Sequence, residues 1–150
     1  RHAADSLRSP LMPDVGRPPH SVMAESASLR VLSELTTVVA DDLRPYQVVE
    51  LLDTEGNRTE LFTRYLTRDG AHWVRHGVFQ SFFADGALQS EGVYRHGKEH
   101  GPWRDLYQNG VVAAEGSYFH GEHVGTWFYR DPDGHEEEPD HFPPAPGPFN

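Results

Sequence analysis

The chain has no cysteine among its 150 residues, which excludes a disulfide framework and any zinc site built on thiolates. No apolar stretch approaches the ~20 residues needed to span a bilayer as a helix, and the first residues lack the apolar core of a signal peptide. Positive charge is scarce: 13 Lys and Arg stand against 23 Asp and Glu, giving a formal net charge of -10. That balance repels phosphate backbones and anionic membrane surfaces, so proteins rather than nucleic acid are the expected partners. Catalytic signatures are also missing. There is no Gly-x-Ser-x-Gly elbow, no phosphate-binding loop and no dinucleotide fingerprint. Neither an enzyme nor a cofactor is expected.

What the chain has is a repeat. Gly77, Gly101 and Gly125 open units 24 residues apart, a period typical of stacked supersecondary modules. Phe79, Trp103 and Trp127 follow two residues later, and Asp85-Gly86, Asn109-Gly110 and Asp133-Gly134 sit at mid-unit. Gly92 and Gly116, Tyr94 and Tyr118, then His96-Gly97 and His120-Gly121 complete the pattern. Asp-Gly and Asn-Gly between short apolar runs signal two-residue hairpin turns, because glycine accepts the positive φ those turns need. Counting outward from Asn109-Gly110 sets Tyr107 opposite Val112, Arg104 opposite Glu115 and Trp103 opposite Gly116. From Asp85-Gly86 the same count sets Phe83 opposite Leu88 and Phe79 opposite Gly92. In each hairpin a ring lands across from a glycine whose bare backbone it can cover. Period-2 alternation then gives the sheet one aromatic side and one polar side, with Arg104 paired to Glu115 on the polar one.

The run Tyr94-x-x-Gly97-x-x-x-Gly101-x-Trp103, continued by Tyr107-x-Asn109-Gly110 and echoed by Tyr118-x-x-Gly121-x-x-x-Gly125-x-Trp127, resembles the MORN repeat in the longer-period form of bacterial, antitoxin-like proteins. The resemblance covers about residues 70–138. It implies an elongated, curved antiparallel β-meander with a binding or scaffolding role and no catalytic residues. The third unit departs from the pattern, with Asp131 in place of Phe83 and Tyr107 and Pro139 in place of Glu91 and Glu115, and is expected to fray as a terminal cap.

Outside the repeats, residues 1–24 carry four prolines and read as an extended arm. Residues 25–138 form one β-repeat domain. Within it, residues 25–44 read as a short helix, from the Leu29, Leu32, Leu35 and Val39 stripe, followed by a strand or loop. This segment would lie as a lid on the aromatic face. Residues 45–76 supply leading strands and residues 77–138 the repeats, about eight strands in all. Residues 139–150 form a Pro-rich tail anchored by Phe142 and Phe149. The fold class is therefore mainly β, with a short N-terminal helix and extended Pro-rich termini.

Ten histidines invite a metal reading, since His72, His96 and His120 recur at the repeat period and His76 and His100 form a second column. Equivalent positions two strands apart are separated by ~9–10 Å, too far for one ion, so no metal site is expected. The aromatic column reads first as core and second as a ring-lined groove for a ligand or sugar chain. The functional expectation is a non-enzymatic interaction module: an accessory subunit of a larger complex, peripheral to a membrane. The alternatives are an antitoxin-like neutraliser of a toxin and the ring-groove ligand binder. The initial Arg rather than Met has more than one explanation; a processed precursor is one, and it would lean the setting toward the periplasm, with the cytoplasm as the alternative.

Overall fold

The computed structural model describes residues 28–150, and among these every regular element is a strand. In chain order they are β1 (Ser28–Val39), β2 (Asp42–Leu52), β3 (Arg58–Leu66), β4 (Trp73–Phe82), β5 (Leu88–Arg95), β6 (Lys98–Leu106), β7 (Val112–Phe119), β8 (Glu122–Arg130) and β9 (Glu136–His141). All nine lie in one sheet in sequence order, and each neighbouring pair is antiparallel. The meander expected from the repeats is present, with nine strands rather than about eight.

Two kinds of turn build it. The Asp-Gly and Asn-Gly turns are not the two-residue type: Gly86 N–H donates to Phe83 O and Phe83 N–H to Ala87 O, leaving a three-residue loop with only the glycine at positive φ (Gly86 92°). Asp85 Oδ1 accepts from Ala87 N–H at 2.9 Å and Asn109 Oδ1 from Val111 N–H at 3.0 Å, so the side chain holds the loop in place of a second positive φ. The two-residue turns lie at the other end of the strands. His96 and Gly97 have φ of 48° and 89°, and His120 and Gly121 48° and 87°, between the pairs Arg95–Lys98 and Phe119–Glu122.

Those loops shift the register near each turn and bulges restore it. Phe82 pairs with Leu88 and Leu106 with Val112, not Phe83 with Leu88 and Tyr107 with Val112. One extra residue, Gln89 in β5 and Ala113 in β7, then resets the count. Beyond the bulge the expected pairs stand: Phe79 with Gly92, Trp103 with Gly116 and Arg104 with Glu115. The glycines that open each unit, Gly77, Gly101 and Gly125, have φ of 106°, 97° and 68°. Around them β4, β6 and β8 carry irregularities against the preceding strands.

Two further expectations are corrected. Residues 28–39 are strand, not helix; the rest of the expected helix, residues 25–27, lies outside the described residues, as does the arm at 1–24. The third unit does not fray, since Asp131 N–H bonds His135 O and Gly134 N–H bonds Asp131 O, closing the β8–β9 hairpin with Pro139 inside β9. The tail after β9 lies back on the sheet. Phe142 N–H bonds Gly125 O, and Gly125 N–H bonds Pro143 O.

Candidate functional site

The repeated rings are the core. Phe79, Tyr94, Trp103, Tyr118 and Trp127 are all buried, and they form a continuous ladder. Phe79 stacks on Trp103 at 5.5 Å; Tyr94 meets both edge-on; Tyr118 stands edge-on between Trp103 and Trp127. His123 and Phe142 close its C-terminal end. Each ring takes the next as its cover. A Cβ on Gly92 would overlap the indole of Trp103, and one on Gly116 the indole of Trp127. Each glycine is thus required by the tryptophan of the following unit, whereas the register alone pointed to Phe79 and Trp103. Tyr107 stands apart, donating to Arg130 O at 2.8 Å, its phenol pushed up to about 12 by burial, with Glu137 and Asp131 adding to the effect.

Polar groups inside this layer are paired. Asp105, 1 % exposed, accepts from Ser90 Oγ at 2.6 Å and Trp103 Nε1 at 3.2 Å. Glu60, also 1 % exposed, accepts from Arg75 Nη2 at 2.7 Å, and the same guanidinium lies over the rings of Phe62, Phe79 and Tyr94. Burial pushes the Glu60 carboxyl up while Arg75 opposes the shift. These groups face rings, and their roles are packing and orientation.

The histidine columns hold unit to unit. His76 Nδ1 accepts from His96 N–H at 3.0 Å, and His100 Nδ1 from His120 N–H at 3.1 Å. Gly97 and Gly121 N–H bond Arg75 O and Glu99 O. Each His-Gly turn is therefore latched onto the bend of the unit before it, with the two imidazoles 4.5 Å apart. Tyr65 Oη lies 2.9 Å from His96 Nδ1, and His100 Nε2 lies 2.7 Å from Phe149 O, tying the tail down. The pairs that meet are 20 residues apart, not 24, and they are used for backbone capture. Among the described residues the one cluster with ligand spacing is Asp131, Asp133 and His135. Asp131 there already accepts from Asp133 N–H, His135 N–H and His135 Nδ1, which makes it the cap of its own loop.

The accessible feature is the opposite face. Across β4 to β8 it forms a groove of about 990 Å³. Val78, Val93 and Pro102 line one part of it; Gln80, Glu91, Arg104 and Glu115 form a cross-strand row that ends on Phe128, with Arg130 two residues further along β8. Val78 and Phe128 are 59 % and 51 % exposed. The charges alternate from strand to strand. Arg104 Nε bonds Glu91 Oε2 at 2.5 Å and Arg130 Nη1 bonds Glu115 Oε2 at 3.1 Å, so Arg104 turns to the strand before it and not to Glu115 as expected. Sequence reasoning took this face as polar and missed its exposed apolar side chains. The signal was present in Val78, Val93 and Phe128, which alternate with ring-face residues.

Among the described residues no helix is long and apolar enough to cross a membrane. No family model, no curated protein and no solved structure matches the chain.

Proposed function

We propose that this chain is a non-enzymatic docking module whose groove across β4–β8 receives another protein. The carrying observation is a set of exposed apolar side chains, Val78, Val93 and Phe128, around an alternating charged row on one continuous sheet face. Apolar contacts supply affinity, and the Glu–Arg ladder selects a partner of matching charge order. The rings that would have made a ligand groove are buried against one another, which favours the docking reading over sugar binding. The role agrees with what the resemblance to MORN repeats implies, and an accessory subunit of a larger assembly is the setting it fits.

The test is affinity capture with the full chain and with a Val78→Glu/Phe128→Glu variant. Both substitutions fall on exposed side chains and leave the ring ladder intact. A partner recovered stoichiometrically by the native chain and lost by the variant supports the reading. Equal recovery by both, or a native chain that returns alone, counts against it.

A further inference from the structure

We propose that β1 is a self-association edge through which two copies of this chain join, antiparallel and two-fold related, into one continuous sheet. The observation is an asymmetry between the two ends of the meander. At one end β9 is six residues long and carries Glu136, Glu137, Glu138 and Pro139, acids and a proline that discourage any added strand. At the other end β1 runs for twelve residues, with no lysine, no proline and only one structural blunting device, the bulge at Leu32. Along it Leu29, Val31, Leu32, Leu35 and Val38 are 40–63 % exposed.

Among the described residues no strand pairs with the outer edge of β1, and a row of open backbone groups flanked by leucine and valine is a pairing template. A second copy fits it for three reasons. Apolar residues lie in both halves of β1, Leu29, Val31 and Leu32 in the first and Leu35 and Val38 in the second, so antiparallel self-pairing sets apolar against apolar. The only charges on the strand are Arg30 and Glu34. Both are already engaged within the copy, Arg30 Nε donating to Glu50 Oε2 at 2.6 Å and Gln47 Nε2 to Glu34 Oε1 at 2.5 Å, so pairing buries no unpartnered charge. The exposed parts of these side chains and of neighbouring Leu43 amount to roughly 500 Å² per copy, so two copies reach the ~1,000 Å² that a specific interface must clear. Closure is the final point: joining β1 to β1 consumes both templates and leaves only the guarded β9 edges outward, so assembly stops at two.

The experiment uses the full chain and light scattering coupled to size exclusion. The native chain is expected at twice its 16.9 kDa mass. Leu32→Lys/Leu35→Lys and Leu32→Glu/Leu35→Glu, each made separately, are expected to weaken the dimer by about a hundredfold or more through like-charge contact. Mixing the two variants is expected to restore a heterodimer, which a misfolded variant could not form. A native chain that stays monomeric to about 100 µM, well above a micromolar Kd, overturns the proposal. So does a dimer indifferent to both charge pairs. A dimer lost in the groove variant Val78→Glu/Phe128→Glu but not in the β1 variants moves the interface to the other surface and equally overturns it.

Discussion

The indole of Trp127 lies across the bare backbone of Gly116, where an added Cβ would overlap the ring. Trp103 and Gly92 repeat the arrangement one unit earlier. Because neither glycine sits at positive φ, what it provides here is space. Gly92→Ala and Gly116→Ala are each expected to destabilise by about 2–3 kcal/mol, since the ring must leave its stack to make room. Gly147, which has nothing within 4 Å of a built Cβ, is the control: its alanine variant should stay within about 0.5 kcal/mol. Urea unfolding of the three variants checks this, and equal costs at Gly92 and Gly147 would remove the ring-over-glycine account.

The repeat was legible because every unit uses glycine and an aromatic ring at fixed offsets, and both have a steric reason to recur. Three things were hidden, each for a physical cause. Asn-Gly serves a two-residue turn and a three-residue loop alike, and only the Asn109 and Asp85 side-chain bonds to the following backbone decide between them. The strand β1 looked helical because the bulge at Leu32 inserts one residue into the alternation, and a period of two with an insertion imitates Leu29, Leu32, Leu35. Arg104 has a neighbour on each side in the sheet. A hairpin count names one of them, Glu115, while the ion pair forms with the other, Glu91. The groove was hidden with it, since a face carrying such pairs reads as polar from any one strand.

Glu60 and Arg75 make a second test, of charge inside the ring layer. Arg75→Met keeps a long apolar stem over Phe62 and Phe79 but leaves the buried Glu60 carboxylate without its counter-charge, at a cost of about 3–5 kcal/mol. Adding Glu60→Gln should recover part of that loss, giving a double variant clearly more stable than the sum of the singles. The single Arg75→Met variant should also gain stability as pH falls. Burial already holds the Glu60 pKa above its ordinary 4.5, and a raised carboxyl favours the fold below that shifted value and loses the benefit as pH rises through it. Denaturation at several pH values measures both effects; a Met variant as stable as the native chain would mean the pair contributes nothing.

The turn joining β1 to β2 is the one with two side-chain-bearing residues at positive φ. Ala40 and Asp41 occupy φ of 52° and 66°, a geometry that disfavours residues with a Cβ. The equivalent turns at the other hairpins have glycine in second place. Ala40→Asn/Asp41→Gly should therefore stabilise the protein by about 1 kcal/mol, and should raise hydrogen-exchange protection in β1 more than in β6. A loss of stability would show that Asp41 makes a contribution larger than its backbone cost.

Acid sensitivity should begin at the His76–His96 latch. His76 and His96 are both held below the ordinary value of 6.5, first by burial and then by neighbouring positive groups, His96 and Arg95 for His76 and Arg95, Arg44 and His120 for His96. A base with a depressed pKa in the fold binds fewer protons there than in the unfolded chain, so its stability contribution is complete above 6.5 and declines as pH falls toward the folded value. Protonation of His76 also puts a hydrogen on the Nδ1 that accepts from His96 N–H, opening the latch between units. Carboxylates held low, such as Asp42 and Glu50, lose their contribution only at lower pH, below ordinary values of 3.8 and 4.5, so the two windows separate. Thermal melts from about pH 7.5 to 5.5 should show a falling midpoint, and His76→Asn, whose Oδ1 can accept from His96 N–H without titrating, should flatten that slope. A native chain whose melting point is level across this range would mean that the imidazole–turn contact does not couple to folding.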